Sequence, residues 1–160
     1  MDAPKKAKIT DEITGLKKAE HYCAYQERSQ QEVRDKLYEW GLYTTAVENI
    51  ISRLIEGNYL NEERFAHAYT RGKFNQKGWG RIKIKQGLKQ KNVSPVLIKK
   101  ALQGINLNDY MDALTRLLEK KAGTVAEPNA HKRQYKLQQY AFSRGFETEL
   151  AAEVLKNSEL

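Results

Sequence analysis

The stretch VRDKLYEWGLYTTAVENII (Val33–Ile51) decides the fold, because its pattern returns twice further along the chain. The second copy is IKQGLKQKNVSPVLIKKAL (Ile84–Leu102), 51 residues later, and the third is LQQYAFSRGFETELAAEVL (Leu137–Leu155), 53 residues after the second. Each copy sets apolar residues at helical spacing on both sides of a Gly or Asn that can end a helix. Repetition at this period is typical of helical repeat proteins, whose single units are too small to bury a core alone.

These copies predict an all-α fold: an elongated, curved tandem array of three three-helix repeats that share apolar faces. We place a flexible N-terminal tail at residues 1–9, the first repeat at 10–58, the second, basic repeat at 59–105 and the third at 106–160. The alternation in the segment Arg81–Lys85 would by itself also suit a β-strand. Because the matching segments of the other two copies have helical patterns of their own, we expect a helix here too.

Capping residues predict where the helices begin, since a side-chain oxygen can accept from a free backbone N–H of the first turn. The predicted caps are Thr10, Ser29, Thr45, Asn61, Ser94 and Asn108. Thr10 is expected to start a first helix from about Asp11 to Arg28. Ser29 and Thr45 are each followed three residues later by Glu, which is the spacing of a capping box. Gly41 is expected to end a helix in the left-handed conformation, and Asn92 occupies the same place in the second copy.

Positive charge is concentrated in the middle of the chain. Residues 64–108 contain eleven Lys or Arg and no Asp or Glu, whereas the whole chain has 28 basic and 20 acidic residues and a net charge of +8. The rest of the chain therefore has 17 basic and 20 acidic residues, a net charge of −3. Such a concentration favours an anionic partner, either a nucleic acid or an acidic protein surface. For any single lysine, a solvated face is the simpler interpretation.

The candidate binding residues lie in this basic window. They are Arg71, Lys73, Lys77, Trp79, Arg81, Lys83, Lys85 and Lys89. Arg81, Lys85 and Lys89 recur every four residues and would form one ridge on a helix, with Lys83 beside it. Trp79, framed by two glycines, could stack on a base or insert into a partner, although packing against a neighbouring helix is the more ordinary role.

Composition argues against several other classes of protein. There is no run of about 18 apolar residues and no apolar N-terminal signal, so we expect a cytoplasmic protein that does not enter a membrane. The single cysteine, Cys23, cannot form an internal disulfide and fits a reducing compartment. No two of His21, His67 and His131 share metal-ligand spacing, and phosphate-binding loops and nucleophile elbows are absent from the sequence. We expect no enzymatic activity, no cofactor and no metal.

Four segments resemble motifs of the RecX family of bacterial recombinase regulators. Gly57–Ala66 (GNYLNEERFA) resembles the family's GYLDDxRFA, and Ser29–Leu37 resembles its S-x-x-E-L-x-x-K-L. Lys77–Leu102 resembles its run of a glycine, I-x-x-x-L, K-G-V/I and I-x-x-A-L, and Arg144–Phe146 resembles its closing R-G-F. The resemblance spans about residues 15–157. Asn58 replaces a glycine of the family motif, and Asn tolerates the left-handed conformation that a glycine would supply.

This resemblance implies a modular protein of three-helix repeats that binds the RecA recombinase filament and modulates, usually inhibits, strand exchange and ATP hydrolysis. The expected partners are therefore the RecA filament and DNA, the latter bound through its phosphates without sequence preference. We expect a monomer, because the apolar stripes are used inside the repeats. Tyr59, Leu60, Phe65 and Ala66 are expected to join the first two repeats, and Arg64 to cap a helix or form a buried pair.

Two other classes of function fit parts of the pattern. A helix-turn-helix-like transcription regulator would bind one duplex site tightly, but the basic charge here runs over several elements without one compact recognition helix. A helical scaffold whose lysines serve only solubility would retain DNA weakly, lose it at modest salt and leave a recombinase unaffected.

Overall fold

A computed structural model describes residues 11–160 of the chain, which contain nine α-helices and no β-strand. The helices are α1 (Glu12–Tyr25), α2 (Gln30–Glu39), α3 (Thr44–Glu56), α4 (Glu62–Asn75), α5 (Arg81–Gln90), α6 (Pro95–Gln103), α7 (Leu107–Ala122), α8 (Ala130–Ser143) and α9 (Thr148–Lys156). The all-α prediction is confirmed, including the helix at Arg81, where the alternating sequence also suits a strand. In the described part of the chain, no helix combines the length and the apolarity that crossing a membrane requires.

Three of the predicted N-caps are confirmed by their hydrogen bonds. The Ser29 hydroxyl accepts from the backbone N–H of Glu32 (3.0 Å), and the Asn61 side chain accepts from that of Arg64 (2.9 Å). The Ser94 hydroxyl caps α6, whose first residue is a proline. Each cap satisfies a backbone donor that the helix itself leaves free.

Two predicted caps are wrong. Thr45 lies inside α3, which begins one residue earlier at Thr44 and has no side-chain cap. The carboxylate that would complete the box, that of Glu48, is instead paired with Arg34 (2.8 Å). The start of α7 is capped by Asn106, two residues before the predicted Asn108, and the Asn106 side chain accepts from the N–H of Asp109 (3.1 Å).

The first helix is shorter than its apolar pattern suggests. Thr10 lies outside the described residues, and the carboxylate of Asp11 caps α1 by accepting from the N–H groups of Ile13 and Thr14. The helix ends at Tyr25, three residues before the predicted Arg28.

Left-handed residues end several helices, as the turn residues predict. Gly41 has φ 97° and Gly145 has φ 95°, while Asn58 and Asn92 have φ 62° and 59°. Gly and Asn are the residues that adopt this conformation at least cost, so each turn is encoded locally.

The described residues form two compact units. The first contains the residues through Ala68 together with Lys91–Val93. In it, α1, α2 and α3 pack around one apolar core. The buried members of this core are Ala19, Cys23, Val33, Leu37, Leu42, Val47, Ile50, Ile51, Leu54 and Leu60.

The second unit contains Tyr69–Gln90 and Ser94–Leu160. In it, α7, α8 and α9 pack on one another and α5 packs on α6. The main core of this unit has as its buried members Tyr110, Leu114, Leu118, Ala122, Leu137, Ala141, Phe146, Ala151, Val154 and Leu155. The ring of Tyr110 lies between those of Phe74 and Phe146, with centroids 5.9 and 5.0 Å away, so this unit has an aromatic centre.

The start of α5 is attached to the turn between α8 and α9 through backbone atoms. The N–H of Gly80 donates to the carbonyl of Arg144 (2.8 Å), and the N–H of Ile82 donates to that of Gly145 (2.9 Å). A Cβ on Gly80 would lie 2.4 Å from the Gly145 backbone, so only glycine permits this approach. These contacts position the helix that bears four of the eight candidate binding residues.

Candidate functional site

All eight candidate residues belong to the second unit, and three of them line one cavity. Arg81, Lys85 and Lys89 form one wall of a cavity of about 550 Å³ between α5 and α6, which we call the α5–α6 groove. The remaining lining comes from α6 and the residues after it: Pro95, Ile98, Lys99, Leu102, Gln103 and Ile105. The spacing of four residues brings the three cations to one face of α5, which is the ridge that the sequence predicts.

Arg81 is held by neighbours inside the unit. Its guanidinium donates to the carboxylate of Glu147 (2.8 Å) and lies 4.1 Å from the centre of the Tyr110 ring. Its backbone N–H donates to the Tyr110 hydroxyl (3.0 Å), which in turn donates to Glu147. Burial, reinforced by the bond to Glu147, raises the pKa of the Tyr110 hydroxyl. The charge of Arg81 is therefore compensated, and the residue positions the end of the groove.

Lys85 and Lys89 are exposed, and neither forms an ion pair with another residue in the range 11–160. Lys99, on the opposite wall, is likewise exposed and makes no ion pair within that range. An anion that approaches the groove therefore meets three cations that have no competing carboxylate partner there.

A second group of candidate residues surrounds Trp79. Its indole ring is half-buried, with the Nζ atoms of Lys73 and Lys83 at 4.7 and 4.6 Å from the ring centre. Its backbone N–H donates to the carbonyl of Lys73 (3.0 Å). The half-buried ring therefore lies beside two lysines of the same unit. Lys83 lies roughly 160° around the α5 axis from Lys85.

Arg81, Lys85 and Lys89 thus lie on one side of α5, and Lys83 lies on another. Lys83 lines a small depression of about 230 Å³, away from the α5–α6 groove, together with Ile82, Gln86, Phe142, Ser143 and Gly145. Arg71 and Lys77 are exposed, and the carbonyl of Lys77 accepts from the side chain of Arg144.

Lys99 is the binding candidate that the sequence analysis does not single out. It lies in the basic window, but the ridge is defined on α5 alone, and Lys99 belongs to α6. One feature of the sequence could have identified Lys99. It directly follows Ile98, which is buried, so it lies at the edge of the α6 face that packs on α5.

The described residues offer little for covalent or metal chemistry. No group of three or more His, Cys, Asp or Glu side chains in residues 11–160 could hold a metal ion. Burial raises the pKa of the Cys23 thiol to about 11, which disfavours the reactive thiolate.

Comparison with known proteins identifies the family. The chain matches the family models of three RecX domains: the first three-helix domain at residues 16–54, the second at 61–102 and the third at 108–155. The chain belongs to the RecX family. The three matches follow one another in order and confirm the prediction of three three-helix repeats.

Curated RecX relatives are longer than this chain. The protein named "Regulatory protein RecX" of Clostridium perfringens is 30% identical over 81% of the chain and 61% of its own length. That of Bacillus licheniformis is 27% identical over 91% of the chain and 55% of its own length. The chain therefore spans somewhat more than half the length of these relatives.

Solved RecX structures have the same fold. The crystal structure of RecX from Lactobacillus salivarius superposes with a TM-score of 0.84 at 25% identity, covering 91% of this chain and 95% of that one. A second crystal structure, of a regulatory protein RecX, gives a TM-score of 0.83 at 23% identity over 92% of this chain and 72% of that one.

Residues of the RecX motif at Gly57–Ala66 make contacts within the first unit. Arg64 donates to the carbonyls of Asn58 (3.0 Å) and Tyr59 (3.3 Å), just beyond the end of α3, and its guanidinium pairs with Glu27. The predicted pairing role of Arg64 is confirmed, but the pair is only partly buried, since the side chains of Arg64 and Glu27 are 37% and 30% exposed. Leu60, at 1% exposure, belongs to the core of the first unit.

Proposed function

We propose that this chain binds the RecA–DNA filament and modulates, mainly by inhibition, its strand-exchange and ATPase activities. The observation that carries this proposal is the match to all three RecX three-helix domains in chain order. The matched relatives are named regulatory proteins, which is consistent with control of another protein's activity.

The basic surface of the second unit is the proposed contact. Lys77, Lys85 and Lys89 are exposed and make no ion pair within residues 11–160, so their charges are available to phosphates or carboxylates. A RecA–DNA filament offers both kinds of anion. Each exposed pair contributes about 0.2–1 kcal/mol, so three such contacts together contribute about 0.6–3 kcal/mol and change affinity by roughly threefold to 150-fold. Phosphate contacts would also weaken as the salt concentration rises.

The proposal is tested by measuring RecA-catalysed strand exchange and ATP hydrolysis with this protein added below the recombinase concentration. We expect the wild-type chain to lower both rates. The triple variant Lys77→Glu, Lys85→Glu, Lys89→Glu should need at least about tenfold more protein for the same inhibition.

A matched control changes the charge equally at exposed lysines elsewhere. The variant Lys17→Glu, Lys132→Glu, Lys156→Glu should inhibit within about twofold of wild type, since these residues lie outside the basic window. If the wild-type chain changes neither rate, the proposed function is wrong. Tight preference for a single sequence in a selection from random duplexes would instead favour the transcription regulator.

We propose further that the chain acts in the cytoplasm, where recombinase and chromosome are found, and that it does so as a monomer. The buried apolar stripes within each unit support the monomer. Sedimentation at increasing protein concentration checks this, because a self-associating chain would show a rising mass.

A further inference from the structure

The α5–α6 groove combines an apolar floor with a cationic rim. Ile98, Leu102 and Ile105 contribute apolar side chains to its lining. Lys85 and Lys89 stand on the α5 wall and Lys99 on the α6 wall, and none is neutralised by a carboxylate of residues 11–160. The volume, about 550 Å³, falls within the roughly 300–1,000 Å³ of pockets that bind ligands.

The apolar floor separates this site from a plain phosphate-binding surface. Nucleic-acid backbone carries charge along its whole length and gains nothing from Leu102 or Ile105, whereas its phosphates need only the lysines. An amphipathic helix matches both properties, because apolar side chains at helical spacing form one stripe and the flanks are free to carry charge. The ten residues of α5 rise about 15 Å, which is enough to accompany two to three turns of a bound helix.

We propose that the α5–α6 groove binds an acidic amphipathic helix of a partner protein. Its apolar side chains at i, i+3 and i+7 rest on Ile98, Leu102 and Ile105, and its carboxylates face Lys85, Lys89 and Lys99. This inference goes beyond the proposed function, since it assigns the groove to protein instead of DNA and holds whatever the partner is. Arg81 shapes one end of the site while remaining bound to Glu147.

The test uses the full chain and a fluorescein-labelled helical peptide of about 12 residues, with Leu at i, i+3 and i+7 and Glu or Asp at most other positions. Fluorescence anisotropy measures its binding without RecA and without DNA. We expect saturable binding that weakens at least about tenfold for Lys85→Glu, Lys89→Glu, and comparably for Gln103→Trp, which fills the groove from an exposed position.

Two control peptides decide which chemistry is responsible. Replacing the Leu residues by Ser should weaken binding at least about tenfold, because the floor then has no apolar partner. Replacing the acidic residues by Gln should have a similar effect. The double variant Lys17→Glu, Lys132→Glu, which carries the same charge change, should bind the original peptide as wild type does.

Three outcomes would overturn the inference: no binding of the acidic Leu peptide, equal binding of the Ser peptide, or unchanged binding by Gln103→Trp. Equal binding of the Ser peptide would identify the lysines as a general anion surface of the kind that DNA phosphates use. Because RecA is absent from this assay, its result is independent of the strand-exchange and ATPase measurements, and either proposal can fail alone.

Discussion

Replacing Tyr110 by Phe removes one hydroxyl from the centre of the second unit. Tyr110 is fully buried, and its hydroxyl accepts from the backbone N–H of Arg81 (3.0 Å) and donates to Glu147. Phenylalanine keeps the ring contacts with Phe74 and Phe146. The variant therefore isolates the hydrogen bonds from the packing.

The expected cost follows from these two bonds. Each contributes about 1 kcal/mol, and leaving the N–H of Arg81 and one oxygen of Glu147 without a partner adds a share of their desolvation cost. Because both residues are only half-buried and water can reach them, we expect Tyr110→Phe to lower the free energy of unfolding by about 2 kcal/mol.

Urea unfolding measures the loss of stability, and hydrogen exchange measures the local effect at the amide of Arg81. That amide should exchange at least about tenfold faster in the variant, since its acceptor is gone. The matched control is Tyr135→Phe, whose side chain is 62% exposed and which should change the free energy by less than about 0.5 kcal/mol. A variant as stable as this control, with unchanged exchange at Arg81, would refute the role of the hydroxyl.

Three further changes test the packing, the caps and the buried thiol. Gly80→Ala should lower the free energy of unfolding by about 3 kcal/mol in urea, because its Cβ would lie 2.4 Å from the Gly145 backbone. Ser29→Ala should cost about 1–2 kcal/mol by the same measurement, since the buried hydroxyl caps α2 at Glu32. Raising the pH from about 9 to 11 should destabilise the fold through Cys23, whose thiol pKa of about 11 leaves it neutral when folded but ionised when unfolded.

Each of these has a control of matching chemistry. A Cβ on Gly123 would meet no atom closer than 3.6 Å, so Gly123→Ala should lower the free energy of unfolding by less than about 1 kcal/mol. An equally small loss for Gly80→Ala would contradict the steric argument. Ser52 is exposed in α3, so Ser52→Ala should leave the free energy of unfolding nearly unchanged. If Ser29→Ala also left it unchanged, the cap would contribute nothing to stability. In Cys23→Ala the pH-dependent loss should be smaller, and an identical pH profile would assign it to other groups.

Helix positions were largely predictable because they rest on local signals. Ser29 and Asn61 cap their helices through atoms three residues away, and Gly41 ends one through its own backbone conformation. Thr45 carries the same local signal as Ser29 and yet does not cap a helix. There the carboxylate of Glu48 pairs with Arg34 on another helix, a contact that no local pattern contains.

The candidate site was predictable in composition but less so in arrangement. Helical spacing alone brings Lys85 and Lys89 together with Arg81. Arg81 is paired with a carboxylate whereas Lys85 and Lys89 are not, and this difference depends on Glu147. Glu147 is 66 residues from Arg81 in the sequence and compensates the charge of that residue alone. The contribution of Lys99 likewise requires that α6 pack beside α5.

The order of residues by itself determined that this chain is helical, that its unit recurs three times and that its central repeat is cationic, because periodicity, turn residues and charge are properties of neighbours along the chain. Only the tertiary structure decided which cations remain without a partner and that three of them surround an apolar floor. Partners distant in sequence, such as Glu147 for Arg81, come within hydrogen-bond reach only when the helices pack, and that proximity sets the local charge.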